Sequence, residues 1–223
     1  MNNRVRQTVV GCIVTVLLLS AANLFGGVRI NEPGAVYYHR FASAVSGPEA
    51  IWINPAGLGL NKKFNMQYIA TFYDGDFTSD WGTAMSGDGI GISYRSVENF
   101  VGGKYEEYIY GVGIWVGNGL FAGGSYRYIK RGFDYLNKRH FWNIGLIYTN
   151  HPQFILAAVY SNLNRSEVNG EKSDLKQLYS LSYNTIDKKL SASIEMSIFS
   201  GLSLSGAKYN YGVDWQVKPN IKI

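Results

Sequence analysis

The chain has 223 residues, a length that suits one domain. Charged residues make up only 17% of it and aromatic residues 15%, while glycine is abundant at 26 and proline scarce at 5. The formal net charge of +5 is not gathered on any one segment, and this excludes the basic stripe that marks nucleic-acid-binding proteins. The composition is typical of many strands joined by glycine-rich turns, and it predicts no nucleic-acid partner.

The N-terminus predicts an export signal. Arg4 and Arg6 precede an apolar run over residues 9–19, and the small residues Ser20, Ala21 and Ala22 follow it. This order of basic, apolar and small residues is that of a secretory signal peptide, which we expect to span residues 1–22, with cleavage possible as late as residue 26. An uncleaved anchor is the alternative, but the run is shorter than the ~20 residues of a transmembrane helix.

The residue types that carry most enzyme chemistry form no recognisable set here. Cys12 is the only cysteine and lies inside the predicted signal peptide, so the mature chain has no disulfide. It is a poor lipidation site, because the apolar run follows it instead of preceding it. The three histidines, His39, His140 and His151, lack metal-ligand spacing. The adjacent Glu106 and Glu107 should face opposite sides of a strand. We expect no enzyme, no metal and no cofactor.

From residue 64 onward the chain alternates apolar and polar residues, the period of a β-strand. The clearest example is residues 189–199, where Leu190, Ile194 and Ile198 share one face while Ser191 and Ser193 lie on the other. Ten strands are predicted in this way, at residues 64–72, 81–86, 89–97, 107–116, 120–130, 141–149, 153–161, 177–184, 189–199 and 206–217.

The connections between these strands alternate in length, which is typical of outer-membrane barrels. Short turns are predicted at residues 87–88, 117–119, 150–152 and 184–188, and longer polar loops at 73–80, 98–106, 131–140, 162–176 and 200–205. A soluble β-sandwich also alternates apolar and polar positions. Against it, eight of the ten strands have 9–12 residues, which suits a tilted membrane crossing, and tyrosine and tryptophan gather near the strand ends. The prediction is an all-β, antiparallel transmembrane β-barrel.

Residues 27–63 precede the strands and contain the sequence Trp52-Ile53-Asn54-Pro55-Ala56-Gly57-Leu58-Gly59. Taken alone, Asn-Pro followed by glycines indicates a turn. Together with residues 41–45, however, this stretch resembles the N-terminal signature of the FadL-like outer-membrane barrel superfamily. Residues 211–223 are similar to a hairpin of its PorV/PorQ group, which is linked to protein secretion.

The resemblance implies that residues 27–63 form a hatch packed inside the barrel, with Asn54, Pro55, Ala56 and Gly57 placed to limit or gate a ligand's passage. Barrels of this superfamily commonly have about fourteen strands. The ten strands found here, with the first residues of an eleventh, therefore lead us to expect residues 64–223 to be an incomplete barrel. An unusually small barrel is the alternative.

The function expected on this basis is a passive channel or uptake protein for small hydrophobic molecules, in the outer membrane of a Gram-negative-type bacterium. Its partners would be outer-membrane lipid and the solute. Two alternatives stay open. The first is a non-transporting, PorV-type barrel that acts as a scaffold or shuttle and binds secretion-system proteins. The second is the leading barrel of a longer protein.

Overall fold

The computed structural model describes residues 41–73, 76–98, 104–131, 137–151, 153–168, 170–187, 189–199, 206–218 and 221–222. The predicted signal peptide and residues 27–40 of the predicted hatch lie outside the described residues. Among the described residues, no helix is long and apolar enough to cross a lipid bilayer.

The chain forms one large antiparallel sheet, so the all-β prediction is confirmed. The strands are β1 Asn65–Tyr73, β2 Asp76–Gly87, β3 Ile90–Glu98, β4 Lys104–Gly117, β5 Leu120–Arg131, β6 His140–Tyr148, β7 Phe154–Ser161, β8 Glu167–Val168, β9 Glu171–Lys172, β10 Lys176–Asn184, β11 Leu190–Phe199, β12 Lys208–Lys218 and β13 Ile221–Lys222. Each strand of the large sheet pairs with the next, except that β8 and β9 form a separate hairpin and β10 lies beside β7. The ten long strands correspond to the ten predicted ones.

Three predicted loops are partly wrong, and in one of them, 98–106, the last three residues belong to β4. The predicted loop 73–80 is mostly strand, because β1 runs to Tyr73 and β2 begins at Asp76. Apolar alternation fades there, but backbone pairing continues past a register shift after Ala70. The predicted loop 162–176 contains the β8–β9 hairpin. Period-two hydrophobicity reports burial on one face of a strand, so it misses strand ends that extend beyond that face.

The short turns lie at the end of the sheet opposite to the long connections. They contain residues that tolerate left-handed backbone angles. Asn118 and Gly119 connect β4 to β5 with φ of 50° and 75°. Two consecutive positive φ angles suit a two-residue hairpin, because this turn has the same twist as the paired strands. Asp88 and Gly89 form the equivalent turn between β2 and β3, one residue later than predicted.

The sheet exposes apolar side chains on one face and buries polar and charged side chains on the other, the reverse of what soluble proteins usually show. On β11, Ile194 is 50% exposed whereas the neighbouring Glu195 is 7% exposed. On β3, Ile92 is exposed and Arg95 is buried. We call the face that bears the exposed apolar side chains the outer face, and the opposite face the inner face. In a soluble sandwich the apolar face of each strand would be buried against a second sheet.

Aromatic side chains on the outer face form two rows. The row near the long connections includes Tyr68, Trp81, Tyr94 and Tyr108, whose successive ring centroids lie 6.2, 5.0 and 5.0 Å apart. It continues on later strands with the pairs Tyr126–Trp142 and Tyr160–Tyr179. The other row lies near the short turns and comprises Tyr148, Phe154, Tyr183 and Trp215; the ring centroids of Phe154 and Tyr183 lie 5.1 Å apart. Mostly aliphatic side chains occupy the band between the two rows.

Candidate functional site

The Asn-Pro stretch folds as two short helices, which we number α1, Ala50–Ile53, and the 3-10 helix Pro55–Leu60. Pro55 suits the first helical position, because its φ is fixed near the helical value and its missing N–H would have no helical partner there. Asn54 caps this helix: its side-chain Oδ1 accepts a hydrogen bond from the Ala56 N–H at 3.1 Å. We call residues 41–60 the inner segment.

Asn54 is completely buried and holds three parts of the chain together. Besides capping its own helix, its amide nitrogen donates to the carbonyl of Ala42 at 3.1 Å and to that of Leu146 on β6 at 3.3 Å. Both ends of the amide therefore have partners, as a buried amide requires. Of the predicted hatch residues, Asn54, Pro55, Ala56 and Gly57 are all buried in this segment.

The inner segment rests on strand positions that have no side chains. We call these positions the glycine track; they are Gly91, Gly111, Gly113, Gly123 and Gly145. Gly91 lies opposite Gly111, and Gly123 lies opposite both Gly113 and Gly145, so the track crosses β3 to β6.

A Cβ atom at Gly113, Gly123 or Gly145 would collide with the segment, whereas at Gly91 and Gly111 it would press on the side chains of Leu58 and Ile51. At Gly113 it would lie 2.6 Å from the Pro55 carbonyl oxygen, and at Gly123 it would overlap the backbone of Pro55 and Ala56. At Gly145 it would overlap the Asn54 side chain. Glycine is required here for close approach of one backbone to another, whatever its φ.

The start of the segment binds the later strands through polar groups, which we call the serine seat: Ser180 and Ser182 on β10, and Ser193 and Glu195 on β11. The Ser43 hydroxyl lies 2.7 Å from that of Ser180 and 2.6 Å from that of Ser182. Ser182 in turn lies 2.6 Å from the Ser193 hydroxyl. The Ala42 N–H donates to the Glu195 carboxylate at 3.0 Å.

These contacts show that the sheet curves around the inner segment. Ala42 bonds Glu195 on β11 through its N–H and Asn54 through its carbonyl, and Asn54 also bonds Leu146 on β6. Strands β7 and β10 lie between β6 and β11 in the sheet. One short chain of hydrogen bonds therefore joins strands that are three positions apart.

Nearer the long connections, charged side chains are buried on the inner face. The Arg95 guanidinium lies 3.0 Å from the Glu107 carboxylate, which also accepts a hydrogen bond from the Tyr105 hydroxyl at 2.6 Å. Arg127 stacks on the Phe141 ring at 4.8 Å. A carboxylate at a buried site requires such charge and hydrogen-bond partners, since burying it alone costs several kcal/mol. These contacts make the cluster a structural ion pair packed between aromatic rings.

Glu106 has partners different from those of Glu107. Its carboxylate lies 3.0 Å from the Lys104 ammonium and 3.8 Å from the Arg131 guanidinium. This agrees with the prediction that the two adjacent carboxylates face opposite sides of β4. Among the described residues, no three histidine, cysteine, aspartate or glutamate side chains are grouped closely enough to hold a metal ion.

Sequence reasoning singled out the Asn-Pro stretch as a turn within a hatch, but it predicted neither the helices of this stretch nor the surfaces that receive them. Their alternation with apolar neighbours also predicts that the small residues Gly111, Gly113, Ser191 and Ser193 face the lumen of a channel. Instead, Gly111 and Gly113 are covered by Ile51, Pro55 and Leu58. The available signal was the recurrence of glycine on one face of four successive strands, which is costly in a strand unless another backbone packs there.

Comparisons of the chain with models of known protein families, with curated proteins and with solved structures found no match.

Proposed function

We propose that this chain is an integral outer-membrane protein whose sheet closes into a β-barrel in lipid. The supporting observation is the polarity of the sheet, which has large apolar side chains exposed outside and polar or charged side chains buried inside among apolar ones. An exposed apolar face of this extent would be a severe aggregation hazard in water, whereas hydrocarbon is a suitable solvent for it. The two aromatic rows then lie at the two membrane interfaces. Closure removes the sheet edges, whose unpaired backbone groups cost several kcal/mol each in lipid.

Within this barrel, we propose that the inner segment acts as a hatch and that the protein is a passive channel or uptake protein for small molecules. The segment lies against the inner face and contacts both early and late strands, so passage requires its displacement. The FadL-like resemblance supports the same role. The hydrophobic solute that the resemblance implies stays a prediction.

A second candidate is a non-transporting barrel of the PorV type, which would act as a scaffold or shuttle in secretion. One observation favours it: the inner segment packs directly on strand backbone along the glycine track, as a permanent plug would. In that case the outer or loop surfaces would bind secretion-system proteins, and the segment would serve stability alone.

A reversible lock on the segment separates the two candidates. Ser43 and Ser182 have hydroxyls 2.6 Å apart, so cysteines there are close enough to form a disulfide after small adjustments. The variant Ser43→Cys/Ser182→Cys would be made in a Cys12→Ser background, which removes the only natural cysteine. Solute uptake into liposomes containing the protein would be measured after oxidation and again after reduction. The Ser43→Cys single variant is the control for the substitution itself.

For a hatch-gated channel we expect uptake that oxidation abolishes in the double variant, that reduction restores, and that oxidation leaves unchanged in the single variant. Uptake no faster than in empty liposomes, in the wild type and in the reduced double variant alike, would contradict the channel and favour the scaffold. Uptake that persists in the fully oxidised double variant would show a leak that does not depend on the segment.

A further inference from the structure

The inner segment is attached at two sites of different chemistry. Its helical part packs on the glycine track through backbone and apolar contacts, where Leu58 and Ile51 cover Gly91 and Gly111. Its start, residues 41–43, is held on β10 to β12 by the hydrogen bonds of the serine seat and by the Phe41 ring over Gly212, while Ala42 also packs against Ala56 and accepts the Asn54 hydrogen bond. Hydroxyl groups can exchange such bonds with water or solute at little net cost, whereas the close-packed contacts have no such substitute.

Displacement of residues 41–43 would uncover a polar wall. The groups beneath them are the three serine hydroxyls and the Glu195 carboxylate of the serine seat, together with the Asn210 amide, which lies 3.5 Å from Glu195. Strand register places further charged residues on the same inner face: Lys176 on β10, and Lys208 and Asp214 on β12. With Glu195, these give two cations and two anions, so the wall has no excess charge of either sign.

From this placement, and resting on the proposed channel function, we propose that the segment opens at the serine seat while its helical part stays on the glycine track. We propose further that the route admits small, uncharged, hydroxyl-bearing solutes. Serine hydroxyls and an asparagine amide both donate and accept hydrogen bonds, so they can replace the water around such a solute. An apolar solute would form no hydrogen bonds with this wall, and the polar groups of the wall would be left without partners.

The test compares Ser193→Val with Ser193→Thr, because valine and threonine have nearly the same shape and only threonine keeps the hydroxyl. Ser193 is part of the wall, and its hydroxyl lies 2.6 Å from that of Ser182. Arabinose entry into liposomes containing each variant would be followed by swelling. Entry of a fluorescent medium-chain fatty acid would be measured beside it, relative to protein-free vesicles. Far-UV circular dichroism and resistance to unfolding in detergent would confirm that both variants are folded.

We expect arabinose entry to fall about fivefold in Ser193→Val, the effect of losing one hydrogen bond to the solute, and to stay near the wild-type rate in Ser193→Thr. Equal rates in the two variants would overturn the polar route. Protein-dependent entry of the fatty acid without entry of arabinose would also overturn it, while leaving the channel function intact. Entry of neither solute through the wild-type protein would mean that the channel function itself fails.

Discussion

At the scale of single residues, Gly123 shows how a missing side chain positions the inner segment. Its Cα faces the backbone of Pro55 and Ala56, and the neighbouring Gly124 points to the outer face. A Cβ at Gly124 would meet only the Asn143 carbonyl oxygen, at 3.7 Å. Two adjacent glycines of one strand therefore differ in what surrounds them.

Replacing Gly123 with alanine should destabilise the protein, because the new methyl group forces the segment away from the track. The expected loss in free energy of unfolding is about 1–3 kcal/mol, the usual cost of overpacking. Gly124→Ala is the matched control and should change it by less than about 0.5 kcal/mol. Urea unfolding of the protein in lipid vesicles, followed by tryptophan fluorescence, measures both. Equal losses for the two variants would mean that the segment does not rest on the track.

Asn54 could be singled out from the sequence, because Asn-Pro at a chain reversal has a local physical meaning. Its capping bond to the Ala56 N–H depends only on neighbouring residues. Its bonds to Ala42 and Leu146 could not be predicted in the same way, because the second joins residues 92 positions apart and depends on how the sheet curves. The role of Ser43 was missed for the same reason, since its partners on β10 are more than 130 residues away.

At the scale of elements, the hairpin turns determine how the strands are paired. Gly119 in the β4–β5 turn has φ of 75°, and a Cβ there would lie 2.6 Å from the Asn150 backbone nitrogen. Gly170 in the β8–β9 hairpin has a similar φ of 82°, but no atom lies within 4 Å of its Cβ position. The two glycines therefore share a backbone conformation that favours glycine and differ in crowding.

Alanine at Gly119 should consequently cost more than alanine at Gly170. Backbone strain alone costs about 1–2 kcal/mol at each position, and only Gly119→Ala adds a collision with backbone, for which we expect about 1–3 kcal/mol more. Thermal unfolding of the two variants in the same detergent compares them directly. A smaller loss for Gly119→Ala than for Gly170→Ala would contradict the close packing of this turn against Asn150.

The ten long strands were predictable because each alternates over most of its length. The strand ends were less so: β2 begins at Asp76, five residues before its predicted start, within a stretch rich in aspartate, serine and threonine. The β8–β9 hairpin has two residues in each strand, too few for any alternation to show. Both misses occur where the sequence shows no apolar alternation and backbone pairing alone defines the strand.

At the scale of the whole molecule, the account depends on which way the sheet faces. The sequence alone predicts two chemically different faces on each strand, but not which of them is covered. In the structure, the inner segment covers part of the polar face, and the apolar face is exposed with its two aromatic rows. The central claim is that lipid covers this outer face and that the inner segment fills the interior of a barrel.

Site-directed spin labelling along β11 tests this claim most directly. Single cysteines would replace residues 191–196 in turn, in a Cys12→Ser background, and each label's accessibility to oxygen and to a water-soluble nickel complex would be measured in lipid vesicles. We expect high oxygen accessibility at Ala192, Ile194 and Met196, and low oxygen accessibility at Ser191, Ser193 and Glu195. High oxygen accessibility at Ser191, Ser193 and Glu195 instead would contradict the account. An oxygen accessibility that does not alternate along the strand would contradict it too.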